Sequence, residues 1–440
     1  MGRLLKSYWF KSGSISLVNR TLIMFFAYLN FFLMARLFDK SSFGAWVIFL
    51  SILKFSESIR NSFIYNPLLK YLNSDDGTNH QEIKAASSFL NLGIALLCIF
   101  AFLILAGILS LFSNDGMISG MLIHSAVAII GFNLYSYFNF LAQADLKFTG
   151  TLVSSSFKNF FLFVCLLWYH LSQAEITLIR VVWLYNFGYV GSVIIAYLFI
   201  SKQNGLFSMK RDLFWIKKLS HFGKYTFGTN LSSMINKSSK EWLLSGLINN
   251  AAVAIYAPAL RIINFFEIPL NALASVYYPK VINEVKEKGV SAARELYEKS
   301  VSILFYLFLP VCLLIYFLAE QIISLLMGPG FEESVPILEI LVFVGVMGPF
   351  IRQFGVTLNA IGEQRISFQF MVATSISGLL VSAFCIVTYG IIGAAQATMI
   401  IYLGSLIVTQ VILHKKLSVN TLRIFAIGPS LIFKKRSIRN

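Results

Sequence analysis

Ser51-Ile52-Leu53-Lys54-Phe55-Ser56-Glu57-Ser58-Ile59-Arg60-Asn61 lies inside an otherwise apolar run, residues 43–65. A run of that length can cross a bilayer, which needs about 20 apolar residues in a helix. Charge near the middle of a spanning helix costs several kcal/mol, so it turns toward protein or a water-filled cavity. Lys54, Glu57, Arg60 and Asn61 fall at i, i+3, i+6 and i+7, which puts them on one helix face. The segment reads as a membrane helix with one polar, mostly cationic face.

The same pattern recurs along the chain. Twelve apolar runs are found, at residues 15–36, 43–65, 85–111, 117–141, 151–171, 176–200, 222–247, 251–278, 301–318, 334–361, 366–389 and 391–414. The 440 residues are 57% hydrophobic and 13% charged, about half the charge of a soluble domain. The runs are too long and continuous for membrane-barrel strands, which alternate over about ten residues. The fold expected is therefore an all-α polytopic membrane protein of twelve spans. The first span reads as an uncleaved insertion signal. Cys98, Cys165, Cys312 and Cys385 all fall inside apolar runs without metal-ligand spacing.

The formal charge of +16 would suit a nucleic-acid partner, but its placement excludes one. Lysine and arginine crowd the N-terminus, the even-numbered loops and the tail after residue 414. The odd-numbered loops hold only Arg36, Lys40 and Arg180. The positive-inside bias puts both termini and the even loops in the cytoplasm, and much of the positive charge faces anionic lipid heads.

A polar, basic stretch over residues 201–218 separates six spans from six. The reading is an N-terminal lobe over 1–200, a cytoplasmic linker over 201–218, a C-terminal lobe over 219–416 and a basic interfacial tail over 417–440. The two lobes echo one another at an offset of 210 residues. Leu37, Leu50, Ile52, Phe55, Glu57 and Asn61 meet Leu247, Leu260, Ile262, Phe265, Glu267 and Asn271. Six spans in each, both starting on one side, make a parallel repeat with an axis along the membrane normal, and such lobes commonly enclose a site.

The charged residues fall on three matched helices. Besides the second helix, Lys237, Lys240 and Glu241 share a face of the seventh, and Arg261, Asn264, Glu267 and Asn271 a face of the eighth. Pro258 and Pro269 predict bends in the eighth. Lys158, Glu339 and Arg352 complete a set with seven cations and four acids. The predicted substrate-binding cations are Lys54, Arg60, Lys237, Lys240, Arg261 and Arg352, and the predicted ion-coupling acids are Glu57 and Glu267. Structural pairing, such as Lys54 with Glu57 or Lys237 with Glu241, is the alternative. No nucleophile motif, phosphate loop, metal cluster or cofactor motif is present, so neither catalysis nor a cofactor is expected.

Several loose motifs carry a family resemblance over nearly the whole chain. They are Ala35-Arg36-Leu37-Phe38-Asp39-Lys40-Ser41-Ser42-Phe43-Gly44-Ala45-Trp46, Ile255-Tyr256-Ala257-Pro258-Ala259, Leu326-Met327-Gly328-Pro329-Gly330-Phe331, Leu358-Asn359-Ala360-Ile361-Gly362-Glu363-Gln364-Arg365 and the run from Tyr389 to Thr398. They resemble the polysaccharide-exporting branch of the multidrug/oligosaccharidyl-lipid/polysaccharide (MOP) flippase superfamily, and within it the Wzx-type O-antigen flippases. The resemblance implies two six-helix lobes around a central cavity and alternating access. It also implies an undecaprenyl-pyrophosphate-linked oligosaccharide as cargo, in a bacterial inner membrane as part of lipopolysaccharide or other polysaccharide biosynthesis.

Physical chemistry leads to the same expectation. Dragging a pyrophosphate and sugars through hydrocarbon unaided is prohibitive, and Lys and Arg in a wet cavity supply charged donors in place of water. Partners expected are the lipid-linked glycan, membrane lipids, H+ or Na+ as coupling ion, and a polymerase or other assembly proteins. Two other readings differ in charge and loops. A drug/cation antiporter of the same superfamily wants an acidic or aromatic cavity. A membrane glycosyltransferase or O-antigen polymerase wants a large outer loop, and the longest odd loop here is short.

Overall fold

The computed structural model describes residues 8–72, 80–112, 116–144, 148–200 and 212–433. Most of the linker read over 201–218, the tail anchors Lys434, Lys435 and Arg436, and the loop charges Asp115, Asp145 and Lys147 lie outside the described residues. Every described element is helical, without a strand among the described residues.

The first unit holds α1 (Tyr8–Leu37), α2 (Lys40–Arg60), a π-turn (Asn61–Tyr65), α3 (Asn66–Leu72), α4 (His80–Phe112), α5 (Met117–Ala144), α6 (Phe148–Ser172) and α7 (Leu178–Ile200). Asp39 caps α2, its carboxylate accepting from the N–H groups of Ser41 at 2.9 Å and Ser42 at 3.2 Å. Burial raises the Asp39 pKa, but these hydrogen bonds outweigh it and hold the carboxyl below its usual range. The π-turn has a local cause. Pro67 has no N–H to bond Phe63 four residues back, and Asn66 N–H reaches five residues back to the Asn61 carbonyl. The second span is thus α2, the π-turn and α3 in series.

Helix α8 (Leu213–Leu247) runs from the first unit into the second; the compact units are Met1–Met234 and Ile235–Asn440. The start of α8, read from the sequence as part of the second lobe, packs on the π-turn. Thr226 Oγ1 donates to the Ser62 carbonyl at 2.9 Å and Asn230 Nδ2 to Ser62 Oγ at 2.8 Å. Gly223 lets the backbones approach, since a Cβ there would sit 2.9 Å from Phe63 Cα.

The second unit continues with α9 (Asn250–Asn264), α10 (Glu267–Lys288), α11 (Ser291–Phe317), α12 (Ala319–Met327), α13 (Ser334–Ala360), α14 (Gln364–Leu417) and α15 (Thr421–Phe433). Of the two prolines expected to bend the eighth span, one does so. Pro258 lies inside continuous α9. Ahead of Pro269 the helix breaks at Phe265–Phe266, whose N–H groups bond three residues back, to Ile262 and Ile263. The 54 residues of α14 are two spans, because Gly390 has φ +64°, ψ −139°. Beyond it Gly393 lies so close to the Cys385 carbonyl that a side chain would not fit. In a straight helix those residues are about 12 Å apart, so the chain doubles back at Gly390.

Twelve spans result, as the sequence predicts. Among the described residues eight helices are long and apolar enough on their own, and α5 makes a ninth when its two arms count as one. The others are α1, the lysine-rich α8 and the second arm of α14. Leu96, Leu97 and Phe100 on α4 and Leu380, Phe384 and Val387 on α14 are exposed, as side chains facing lipid must be. Small and polar residues join the helices within each unit. Asn30 Nδ2 donates to the Asn159 carbonyl, Ser192 Oγ to the Ser154 carbonyl, and Gly188 lies against the Lys158 backbone. The core of the second unit is built on Tyr277, Val281, Tyr297, Phe350, Phe354 and Leu413.

Candidate functional site

In the first unit the charged face of α2 divides. Lys54 and Glu57 are exposed, whereas Arg60 is 0% exposed. The Arg60 guanidinium lies over the Phe132 ring, Cζ 3.6 Å from its centroid, and donates to the Phe132 carbonyl at 3.0 Å and to Ser136 Oγ. Its Nε and second terminal nitrogen have no hydrogen-bond partner among the described residues.

Lys158 on α6 serves the same aromatic group. Its Nζ donates to Tyr189 Oη at 3.1 Å, and the Tyr189 and Tyr135 rings lie 4.6 Å and 5.3 Å away. The Tyr185 and Tyr189 hydroxyls are 3.1 Å apart. One buried cation, Arg60, and one half-buried, Lys158, therefore sit among rings, hydroxyls and a carbonyl, with the Glu57 carboxylate within electrostatic reach of both. Cation–π contacts in a desolvated setting are worth about 2 kcal/mol each, and they hold the charge without neutralising it.

In the second unit the predicted residues form a ladder along α10. Lys237 Nζ on α8 contacts both Glu267 carboxylate oxygens at 3.0 Å. One turn on, Arg352 of α13 donates to Asn271 Oδ1 at 2.6 Å. Lys237 is 62% and Glu267 48% exposed. The ion pair that forms is between helices, not the Lys237–Glu241 pair within α8 that the sequence offers. Lys240 is buried and makes no ion pair among the described residues. Arg261, Glu241 and Glu339 are half-buried.

The structure thus gathers Arg60, Lys158 and Glu57 in one unit, and Lys237, Glu267, Asn271 and Arg352 in the other. Sequence reasoning missed the cage of Phe132, Tyr135, Tyr185 and Tyr189. Its one sequence signal is the i, i+4 pair of tyrosines on α7, weak in a chain that is 15% aromatic. Chemically, these groups offer cationic hydrogen-bond donors whose partners are largely neutral, an arrangement suited to anions.

A protein family described as "Polysaccharide biosynthesis protein" matches residues 33–336. No curated protein sequence matches the chain. Among solved structures, the chain is similar to an inward-facing multidrug resistance MATE family transporter of the MOP superfamily. The TM-score is 0.74 at 14% identity, over 91% of this chain and 98% of that one. It is also similar to the lipid II flippase MurJ in an inward closed conformation, with TM-score 0.73 and 16% identity over 96% of this chain and 90% of that one. A third is a MOP superfamily transporter from Pyrococcus furiosus, described as having a binding pocket of reversed polarity, with TM-score 0.62 and 14% identity over 92% and 95%. At these identities the likeness is one of fold.

Proposed function

The chain belongs to the polysaccharide biosynthesis protein family and has the MOP fold, and on that premise we propose that it is a multi-pass membrane transporter, not an enzyme, that flips a polyprenyl-pyrophosphate-linked oligosaccharide. The cargo is an undecaprenyl-linked O-antigen or similar repeat unit. It passes from the cytoplasmic to the outer leaflet of a bacterial inner membrane by alternating access. Both termini are cytoplasmic, which the scarcity of lysine and arginine in the odd loops supports.

One observation carries the reading: intramembrane cations outlast their internal pairing. Glu267 answers Lys237. Arg352 has the neutral Asn271, Lys158 has Tyr189, and Arg60 has a carbonyl, a hydroxyl and a ring. A drug/cation antiporter has no use for that surplus, whereas a pyrophosphate does.

The role of each residue follows from its exposure. Lys54, Lys237 and Arg352 are accessible and donate to phosphate. Arg60 and Lys240 are buried and contribute field, with Arg261 between. Glu57 and Glu267 are the coupling acids for H+ or Na+, since each is exposed beside cations that an ion gradient can reset.

The test is a host lacking the gene, in which lipid-linked saccharide should accumulate on the cytoplasmic leaflet. Wild type should clear it, and Lys237→Glu should not. Clearance by Lys54→Glu, Lys237→Glu and Arg352→Glu alike would remove the cationic reading.

A further inference from the structure

A second cationic feature lies apart from the charged faces above, where the second span ends and α8 begins. Tyr71, Phe214, Lys217, Lys218 and His221 line a cleft of about 350 Å³. Two ammonium groups flank the Tyr71 ring, Lys218 Nζ at 4.9 Å and Lys70 Nζ at 5.3 Å from its centroid. Aromatic faces fix both: Lys218 also lies 4.6 Å from the Trp215 ring, and Lys70 lies 4.5 Å from the Phe222 ring. Lys217 and His221 are exposed at the rim.

Neither Lys70 nor Lys218 forms an ion pair among the described residues. Asp212 precedes α8, and its carboxylate is committed to the N–H groups of Phe214 at 2.9 Å and Trp215 at 3.3 Å. Rings hold the ammonium groups in place but leave their N–H bonds without an anionic acceptor among the described residues. Ammonium groups gathered around one ring repel each other, so the arrangement favours an anion close by.

The location specifies the anion further. The cleft is at the end of a spanning helix, and Tyr71 and Trp215 are the residue types that settle at headgroup depth. Lys70 comes from α3, whereas Lys217, Lys218 and His221 come from α8. An anion in the cleft lies between Tyr71 of α3, with Lys70 beside that ring, and the lysines of α8, and so reinforces the join that Thr226, Asn230 and Gly223 make with the π-turn.

We propose that this cleft binds the phosphate of a lipid and thereby ties the start of α8 to the second span. Two lipids carry that chemistry, an acidic phospholipid of the surrounding bilayer and a polyprenyl phosphate. The proposal does not rest on the flippase reading, since a phospholipid satisfies it whatever the cargo.

The full chain in nanodiscs with equal phosphatidylglycerol and phosphatidylcholine tests it, with retained lipids counted by native mass spectrometry. Wild type should retain phosphatidylglycerol over phosphatidylcholine. Lys70→Gln with Lys218→Gln should weaken that retention about thirtyfold, for two lysines at an anionic headgroup. Lys286→Gln with Lys288→Gln, on the exposed end of α10, should leave it unchanged. Lys217→Glu alters an exposed side chain without touching packing, and should weaken retention even if the first pair perturbs folding. Added undecaprenyl phosphate identifies the source: displacement of phosphatidylglycerol marks a polyprenyl phosphate site, and persistence marks a phospholipid site. Equal retention of the two phospholipids by wild type, or equal loss in the α10 control, would overturn the proposal.

Discussion

Replacing Lys237 and Glu267 with glutamine, singly and together, separates two roles that the ladder on α10 leaves entangled. The pair is bidentate, at 3.0 Å, but both side chains are about half exposed. Exposed pairs of this kind are worth roughly 0.2–1 kcal/mol. Protein level and thermal stability should therefore change little in any of the three variants.

Transport should change much more. If Lys237 donates to a phosphate, its loss removes a charge-assisted hydrogen bond worth about 1.5–3 kcal/mol. That is a drop in flipping of roughly 10- to 150-fold. Glu267→Gln alone leaves Lys237 without its counter-charge. If Glu267 merely holds Lys237, the double variant behaves like Lys237→Gln alone. If Glu267 also couples to an ion, both variants lacking it lose their dependence on the gradient. The assay is flipping of a lipid-linked saccharide in reconstituted vesicles, with and without a proton or sodium gradient. A double variant with normal rate and normal gradient dependence refutes both roles.

Other outcomes follow from the packing. Arg60→Ala removes a buried guanidinium stacked on Phe132 and should cost about 3 kcal/mol, lowering the unfolding temperature in detergent, whereas Lys54→Ala should leave it unchanged. Glu298 is 0% exposed and accepts from Arg294 Nε and the Asn420 N–H, each at 3.0 Å, with Arg423 at 3.5 Å; Glu298→Gln should release α15 from α11, read as faster hydrogen exchange over residues 421–433. Asp39→Ala should cost about 1 kcal/mol at the start of α2; because the folded carboxyl titrates below its usual value, that contribution is complete above about pH 4 and disappears as pH falls through the lowered value. Gly223→Val should separate α8 from the π-turn, read as loss of crosslinking between cysteines placed at Phe63 and Phe227, whose rings are 5.8 Å apart.

The spans were legible because the bilayer demands a fixed length of apolar residues, which sequence reports directly. Residues 366–389 and 391–414 were even divided at Gly390, where the backbone turns. Helix α8 was readable too, although its lysines make it too polar to pass as a span by itself. It was read as the apolar run over residues 222–247, and the sidedness of every later basic loop checks that reading.

What stayed hidden depends on tertiary partners. Lys237 has an acid four residues away in Glu241, but its partner is Glu267 on another helix. The segment around Glu298 reads as a solvated basic loop, with Arg294 and Lys299 nearby. Instead α11 begins at Ser291 and buries that carboxylate beneath α15, a docking that the interfacial reading of the tail did not include. The join of α8 to the π-turn depends on a glycine, two hydroxyls and an amide, residue types too common to signal a contact.

Taken separately, the two units hold cations in different ways, and the difference bears on transport. Arg60 and Lys158 are enclosed by rings and hydroxyls. Arg60 is fully buried and Lys158 half-buried, each held by neutral partners, so on the proposed reading they contribute positive field more than direct contact. Lys237 and Arg352 are exposed and held by partners that a phosphate can replace. Exchanging Glu267 for phosphate at Lys237 trades one anion for another, so little binding energy is spent on bare desolvation. The released Glu267 then stands beside the bound anion, where repulsion favours taking up a cation or proton. On the proposed function, binding of cargo and uptake of the coupling ion would be linked at Glu267. A carrier must also release its cargo, and the re-forming Lys237–Glu267 pair provides a local competitor for that step.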